Sequence, residues 1–175
     1  MAIDKIQSES INLADNFAFT GTVTGAGGNN TPFFYGELAS TTTISRDSYV
    51  KVTGMTGDEI DTDSAFDGTT FTVPSGQGGK YYLFGSIMAD YELAGDDGKM
   101  ARVYFYKNGS SLKEARWQQA STYYNMRMVS ETVSGIFTLS AGDTIELYTL
   151  LNDNNGTDAR LQSNNTSIGG YKIIE

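Results

Sequence analysis

The sequence predicts an all-β domain, a jelly roll or related sandwich of about ten short strands. Composition is the first observation: 20 Gly, 11 Tyr and 9 Phe stand against 2 Pro in 175 residues, the profile of a turn-dense β protein. Alternation is the second. In Ala101-Arg102-Val103-Tyr104-Phe105-Tyr106-Lys107, Val103 and Phe105 fall on one face while Arg102, Tyr104 and Tyr106 fall on the other. Third, turn residues punctuate such runs throughout: Gly54 to Gly57, Gly76 to Gly79, Gly95 to Gly98, Ala141-Gly142-Asp143 and Asn152 to Gly156. No segment carries the sustained periodicity and caps of a helix.

Taken in order, the strand candidates are Phe33–Leu38, Thr41–Ile44, Tyr49–Val52, Thr70–Val73, Lys80–Ala89, Ala101–Lys107, Ser111–Trp117, Met126–Leu139, Thr144–Leu151 and Thr166–Ile174. Asn108-Gly109, between two of them, is the strongest short hairpin signal in the chain. Residues 31–175 therefore form the folded domain. Within it, Ile136 faces opposite to Phe137 and Leu139, and Ile145 and Leu147 oppose Glu146 and Tyr148. Several strands are thus apolar or aromatic on both faces, whereas a lone antiparallel sandwich keeps one face polar. Tyr82, Phe84, Tyr104, Tyr106 and Tyr148 supply more aromatic surface than one core needs, and they predict an interface between subunits. Ordinary exposed tyrosine is the plainer alternative.

Residues 1–30 differ from the rest. Phe17-Ala18-Phe19-Thr20-Gly21-Thr22-Val23 alternates like a short strand and runs into Thr24-Gly25-Ala26-Gly27-Gly28-Asn29-Asn30, which has almost nothing to bury. One reading is a tail, disordered or locally docked. The other is an extended arm that adds a strand to a neighbouring protein. The second is favoured because leaving Ile11, Leu13, Phe17 and Phe19 in water forgoes about 1.5–3 kcal/mol for each larger side chain.

Composition also bounds the chemistry. The sequence has no Cys and no His, so disulfides, thiolate metal sites and the commonest general base are excluded. A net charge of −9 disfavours nucleic acid and anionic lipid as partners. No apolar run approaches the roughly 20 residues of a membrane-spanning helix, and Met1 to Gln7 lack a basic-then-apolar signal layout, so synthesis in the cytoplasm without membrane insertion is expected. Gly-x-Ser-x-Gly and phosphate-loop motifs are absent from the sequence. Paired carboxylates occur in Asp58-Glu59-Ile60-Asp61-Thr62-Asp63, near Asp67. They lie in a loop, where solvated acids and turn-forming roles are the norm, so no enzyme and no catalytic residue is predicted. Asp58, Asp61 and Asp63 are candidate calcium ligands on the chemistry of clustered carboxylates alone; no other cofactor is expected. Trp117, with Tyr123 and Tyr124, is a candidate sugar-stacking platform, with core packing of Trp117 as the competing reading.

The order of the motifs then becomes specific. Phe66, Phe71-Thr72-Val73-Pro74 and Gly79-Lys80-Tyr81-Tyr82-Leu83-Phe84 are followed by Val103-Tyr104-Phe105-Tyr106-Lys107-Asn108-Gly109. Next comes Gly135-Ile136-Phe137-Thr138-Leu139-Ser140-Ala141-Gly142-Asp143-Thr144-Ile145-Glu146-Leu147, and finally Ser167-Ile168-Gly169-Gly170-Tyr171-Lys172-Ile173-Ile174. This series resembles the complement C1q globular-head domain over residues 33 to 174. The resemblance implies a ten-stranded C1q/TNF-like jelly roll assembled as a homotrimer around aromatic and aliphatic residues. The chain departs from animal members of that family in lacking a collagen repeat and Cys, so their immune functions do not transfer. Ile11 to Gly27 resembles segments in structural proteins of tailed phages of marine bacteria.

Together the two resemblances imply a non-enzymatic virion protein. It would be a trimeric knob or fibre-like appendage on head or tail, anchored to other virion proteins by its N-terminal arm and aiding attachment to a host surface glycan. The rival expectation is a stand-alone bacterial carbohydrate- or receptor-binding module.

Overall fold

The computed structural model describes residues 30–57, 59–95, 97–120 and 126–173. In chain order the strands are β1 (Phe33–Glu37), β2 (Thr42–Ile44), β3 (Val50–Lys51), β4 (Glu59–Asp61), β5 (Thr70–Thr72), β6 (Gly79–Asp90), β7 (Gly98–Lys107), β8 (Ser110–Gln118), β9 (Met128–Leu139), β10 (Thr144–Asp153), β11 (Ala159–Leu161) and β12 (Ser167–Lys172). A single 3-10 turn, Glu92–Ala94, interrupts them among the described residues. Every strand read from the sequence is present. Two further short strands appear, β4 and β11. Each has three residues, too few to show alternation, and each is extended because a neighbouring strand pairs with it: β4 with β1, and β11 with β2 and β6.

The strands form two antiparallel sheets. In the seven-stranded sheet, β6 pairs with β9 along its whole length and on its other edge with β12 and β11. Beyond β12 lie β1 and then β4, and β2 lies beyond β11. In the five-stranded sheet the order is β3-β10-β7-β8, with β5 also on β10. Successive strands switch sheets from β5 to β6, β6 to β7, β8 to β9 and β9 to β10, which is the jelly-roll path. Only β7 and β8 remain together as a hairpin of two long strands. Its turn is Asn108-Gly109, with φ of 51° and 75°, the positive values of a type I′ turn.

Alternation decides the core. From β6, Tyr81, Leu83, Ile87 and Ala89 point inward, and from β7 and β10 Val103, Phe105, Ile145 and Leu147 meet them, all fully buried. At one end Phe34 stacks on Phe71, ring centroids 4.1 Å apart. Where β6 crosses the facing sheet its inward residue is Gly85. A Cβ there would lie 2.7 Å from Leu147 Cδ1, so glycine allows the two layers to close. Tyr81, interior at one end, donates its hydroxyl to the Gln77 carbonyl at 2.7 Å, and burial pushes its pKa up to about 12.

The Lys-Asn-Gly and Gly-Asp turns quoted in the sequence meet in space and lock one end of the sandwich. The Asp143 carboxylate accepts hydrogen bonds from Lys107 Nζ, Asn108 Nδ2 and Ser140 N, each at 2.7 Å. Asn108 Oδ1 in turn accepts from Thr144 N at 2.8 Å. The Lys107 contact, followed by the Ser140 and Asn108 bonds, lowers the Asp143 pKa to about 2. A carboxylate depressed in the folded state stabilises the fold above its unfolded pKa and loses that contribution as pH falls through the folded value. Thermal unfolding should therefore drop more steeply from about pH 4 to pH 2 in the native chain than in Asp143→Asn. Parallel curves for the two would show that the turn clamp contributes nothing.

Candidate interaction surfaces

The outward residues of β6 are Lys80, Tyr82, Phe84, Ser86 and Met88, alternating with the core positions. Register places partners beside them: Ile136 and Tyr171 flank Tyr82, while Ser134 and Gly169 flank Phe84. From β1, Phe33 lies opposite Tyr171 and Tyr35 opposite Gly169, and Ile60 of β4 is paired with Tyr35. The rings touch in series. Phe33–Tyr171 centroids are 6.5 Å apart, Tyr171–Tyr82 5.6 Å, Tyr82–Phe84 6.0 Å and Phe84–Tyr35 6.3 Å. Ile136 is 62% exposed and Ile60 45%. These two rows contain no charged residue themselves, and they are bordered on the same face by Lys80 of β6 and by Glu37 of β1, which accepts the Tyr35 hydroxyl.

Gly169 makes the surface continuous. A Cβ at this position would lie 2.4 Å from Phe84 Cζ and 3.0 Å from the Phe34 carbonyl oxygen. Without a side chain there, the Phe84 ring lies across β12 towards Tyr35.

The outer face of the five-stranded sheet has different chemistry. Tyr106 and Tyr148 stack with centroids 4.0 Å apart, Tyr104 meets Tyr106 edge-on, and Tyr49 packs edge-on over Tyr104 at 5.4 Å. Tyr104 is 3% exposed while Tyr49 is 55% exposed. Burial pushes the Tyr104 pKa up to about 12. Charged groups surround the rings: Lys51 pairs with Glu146 and also donates to Thr70 Oγ1, and Arg102 lies opposite Arg116 in register.

The five aromatic residues expected to build one subunit interface therefore belong to two surfaces. Tyr82 and Phe84 lie outside the seven-stranded sheet, and Tyr104, Tyr106 and Tyr148 lie outside the five-stranded one. The sandwich separates them, so a single flat contact cannot use both sets. Sequence reasoning did not single out Phe33, Tyr35, Ile136 or Tyr171 for the first surface. Alternation about Phe34 hints at the first two, but their union with Tyr171 depends on pairing between β1 and β12 at opposite ends of the domain.

The acidic loop is built around its own backbone. Asp61 accepts from Phe66 N at 2.8 Å and from Asp63 N at 3.3 Å, and Asp63 accepts from Thr62 Oγ1 at 2.6 Å. Asp67 caps Thr69 and Thr70. No group of three or more carboxylates poised for a metal occurs among the described residues, and Asp58 lies outside them. A shallow cleft of about 360 Å³ beside the acidic loop is lined by Asp63, Phe66, Asp67 and Pro74 among others. Trp117 sits opposite the inward-facing Ala101 and packs against the edge of the core. Tyr123 and Tyr124, and the arm residues Ile11, Leu13, Phe17 and Phe19, lie outside the described residues.

Two buried carboxylates organise the far end. Asp90, 1% exposed, accepts from Gln162 Nε2 and contacts Arg160 at 3.3 Å and Arg127 at 3.6 Å. Asp153, also 1% exposed, pairs with Arg46 at 3.3 Å and accepts the backbone N–H groups of Asn155 and Thr157. Charges so placed are matched by partners and serve to hold loops.

With this geometry established, the chain superposes on solved jelly rolls of one kind. Eiger TNF from S. frugiperda matches with a TM-score of 0.56 and 14% identity, covering 82% of this chain and 91% of that one. Murine APRIL matches at 0.57 and 16%, covering 81% and 98%. The globular domain of zebrafish complement 1qA protein matches at 0.55 and 13%, covering 83% and 99%. The fold is the TNF/C1q-type jelly roll. At these identities the likeness carries the architecture alone. No protein-family model matches the chain, and no curated protein matches it in sequence.

Gly169→Ala should force the Phe84 ring aside or shift β1, at a cost of about 1–3 kcal/mol for overpacking. Urea unfolding measures this, and a stability unchanged within about 0.5 kcal/mol would show that the ring moves freely.

Proposed function

We propose that this chain is a non-enzymatic structural module that assembles as a homotrimer through the aromatic face of its seven-stranded sheet. The observation that carries the proposal is that face itself: Phe33, Tyr35, Tyr82, Phe84, Ile136 and Tyr171 in two adjoining rows, with the exposed Ile136 and Ile60 at its flanks. Leaving such side chains in water forgoes about 1.5–3 kcal/mol each. A second and third copy of the chain supply the same chemistry and remove the cost for all three. The five-stranded sheet, with its ion pairs and hydroxyls, then faces outward.

The wider role we propose is a knob or fibre-like appendage of a tailed-phage particle. The likeness of Ile11 to Gly27 to phage structural proteins supports it, as do the apolar residues Ile11, Leu13, Phe17 and Phe19 in the sequence, which would suit strand addition to another virion protein. The absence of His and Cys from the sequence and the turn-bound state of the acidic loop carboxylates favour a structural over a catalytic role. Attachment to a host surface is the function such a knob would serve.

Light scattering on the isolated protein should give three times the chain mass of 19.0 kDa. Ile136→Glu should collapse the assembly to single chains without altering the circular dichroism, because that side chain is mostly solvent-facing in one chain. A monodisperse monomer in the native protein would sink the assembly reading. Deleting residues 1–30 should abolish incorporation into particles while leaving a soluble trimer. Normal incorporation of the truncated protein would refute the arm as an anchor.

A further inference from the structure

The outer face of the five-stranded sheet combines an aromatic surface with two cations that no carboxylate neutralises directly. Arg102 and Arg116 are cross-strand partners on β7 and β8. Side chains so placed have Cβ atoms about 5 Å apart, and like charges there repel unless an anion sits between them. Arg102 Nε contacts Met100 Sδ at 2.9 Å and its Nη1 reaches the Tyr104 hydroxyl at 3.4 Å. Neither arginine has a carboxylate within ion-pair distance among the described residues. Glu114, opposite Tyr104 in register, acts on Arg102 only at longer range. The other charged residues of this face, Lys51 and Glu146, satisfy each other. Tyr104 forms the floor and holds Arg102 in place, while Tyr49 and the stacked Tyr106–Tyr148 pair extend an aromatic surface beside the guanidinium groups.

We propose that this face binds a polysaccharide that carries uronic acids. Tyrosine rings offer apolar area to the C–H faces of a pyranose and hydroxyls to its edges. A planar guanidinium matches a carboxylate with two parallel hydrogen bonds. The chain's net charge of −9 selects among anions. Double-stranded nucleic acid, with a charge about every 1.7 Å, meets the strongest overall repulsion, whereas a short glycan with one carboxylate per sugar meets less of it and a local attraction at Arg102 and Arg116. The inference rests on the assembly reading only in that the trimer would leave this face open and repeat it three times.

Calorimetric titration of the full chain with oligogalacturonate tests it, with the methyl-esterified oligomer and a sulfated oligosaccharide as comparison arms. Saturable binding is expected, weakened about tenfold or more by methyl esterification and by Arg116→Gln or Tyr49→Ala, both at exposed positions and checked for folding by circular dichroism, and weakened steadily by salt. No saturable binding, equal binding of the ester, tighter binding of the sulfated sugar, or unchanged affinity in both variants would each overturn the proposal. The Ile136→Glu chain separates the two readings: as a folded monomer it should keep the same affinity per site, and loss of binding there would overturn a single-chain platform. If Tyr49→Ala instead changes the oligomeric mass, the face is a contact between copies and the glycan assignment fails.

Discussion

The register of β6 between β9 and β12 is the constraint on which both sides of this domain depend. The strand is hydrogen-bonded along both edges, so it has no freedom to slide without breaking two ladders. Its residues alternate between Tyr81, Leu83, Ile87 and Ala89, which fill the core, and Tyr82, Phe84, Ser86 and Met88, which face away from it. A slip of one residue would exchange the two sets. Apolar burial alone would resist that exchange only weakly, because Tyr and Phe occur on both faces. The glycines make it decisive. Gly85 is required inward, under Leu147, and Gly169 outward, under Phe84, so only one register satisfies both close approaches.

The consequence is a sandwich with two aromatic exteriors of unlike chemistry. Over the seven-stranded sheet the rings follow one another from Phe33 through Tyr171, Tyr82 and Phe84 to Tyr35, with Lys80 and Glu37 only at their border. Over the five-stranded sheet the rings are all tyrosine and are set among Lys51, Glu146, Arg102 and Arg116. An apolar face gains most by excluding water against a like surface, whereas charged groups keep their hydration unless a polar ligand replaces it. The same alternation that builds the core therefore assigns the two faces to different kinds of partner.

The ends of the sandwich are held by polar clamps in addition to apolar packing. Asp143 joins the two turns Asn108-Gly109 and Gly142-Asp143, Asp90 gathers Arg127, Arg160 and Gln162, and Asp153 receives Arg46 and two backbone amides. Turn regions leave backbone donors unpaired by the ladders, and short acidic side chains satisfy them. The carboxylates of Asp61, Asp63 and Asp67 likewise accept hydrogen bonds from neighbouring groups of the same segment.

The sequence by itself determined the strand periods, the hairpin at Asn108-Gly109, the positions of the turns and the all-β class, because these follow from alternation and local turn geometry within a few residues. The short strands β4 and β11 were not legible, since three residues carry no period and their extended state comes from β1 and β2. Which aromatic residues share a face was also beyond the sequence. Alternation shows that Tyr82 and Tyr104 each point away from a core, but not that the core lies between them. Only the tertiary structure decided this, because the pairing of β1 with β12 and of β7 with β10 joins residues far apart in the chain. That pairing is selected by the packing of the whole sandwich and not by any local preference.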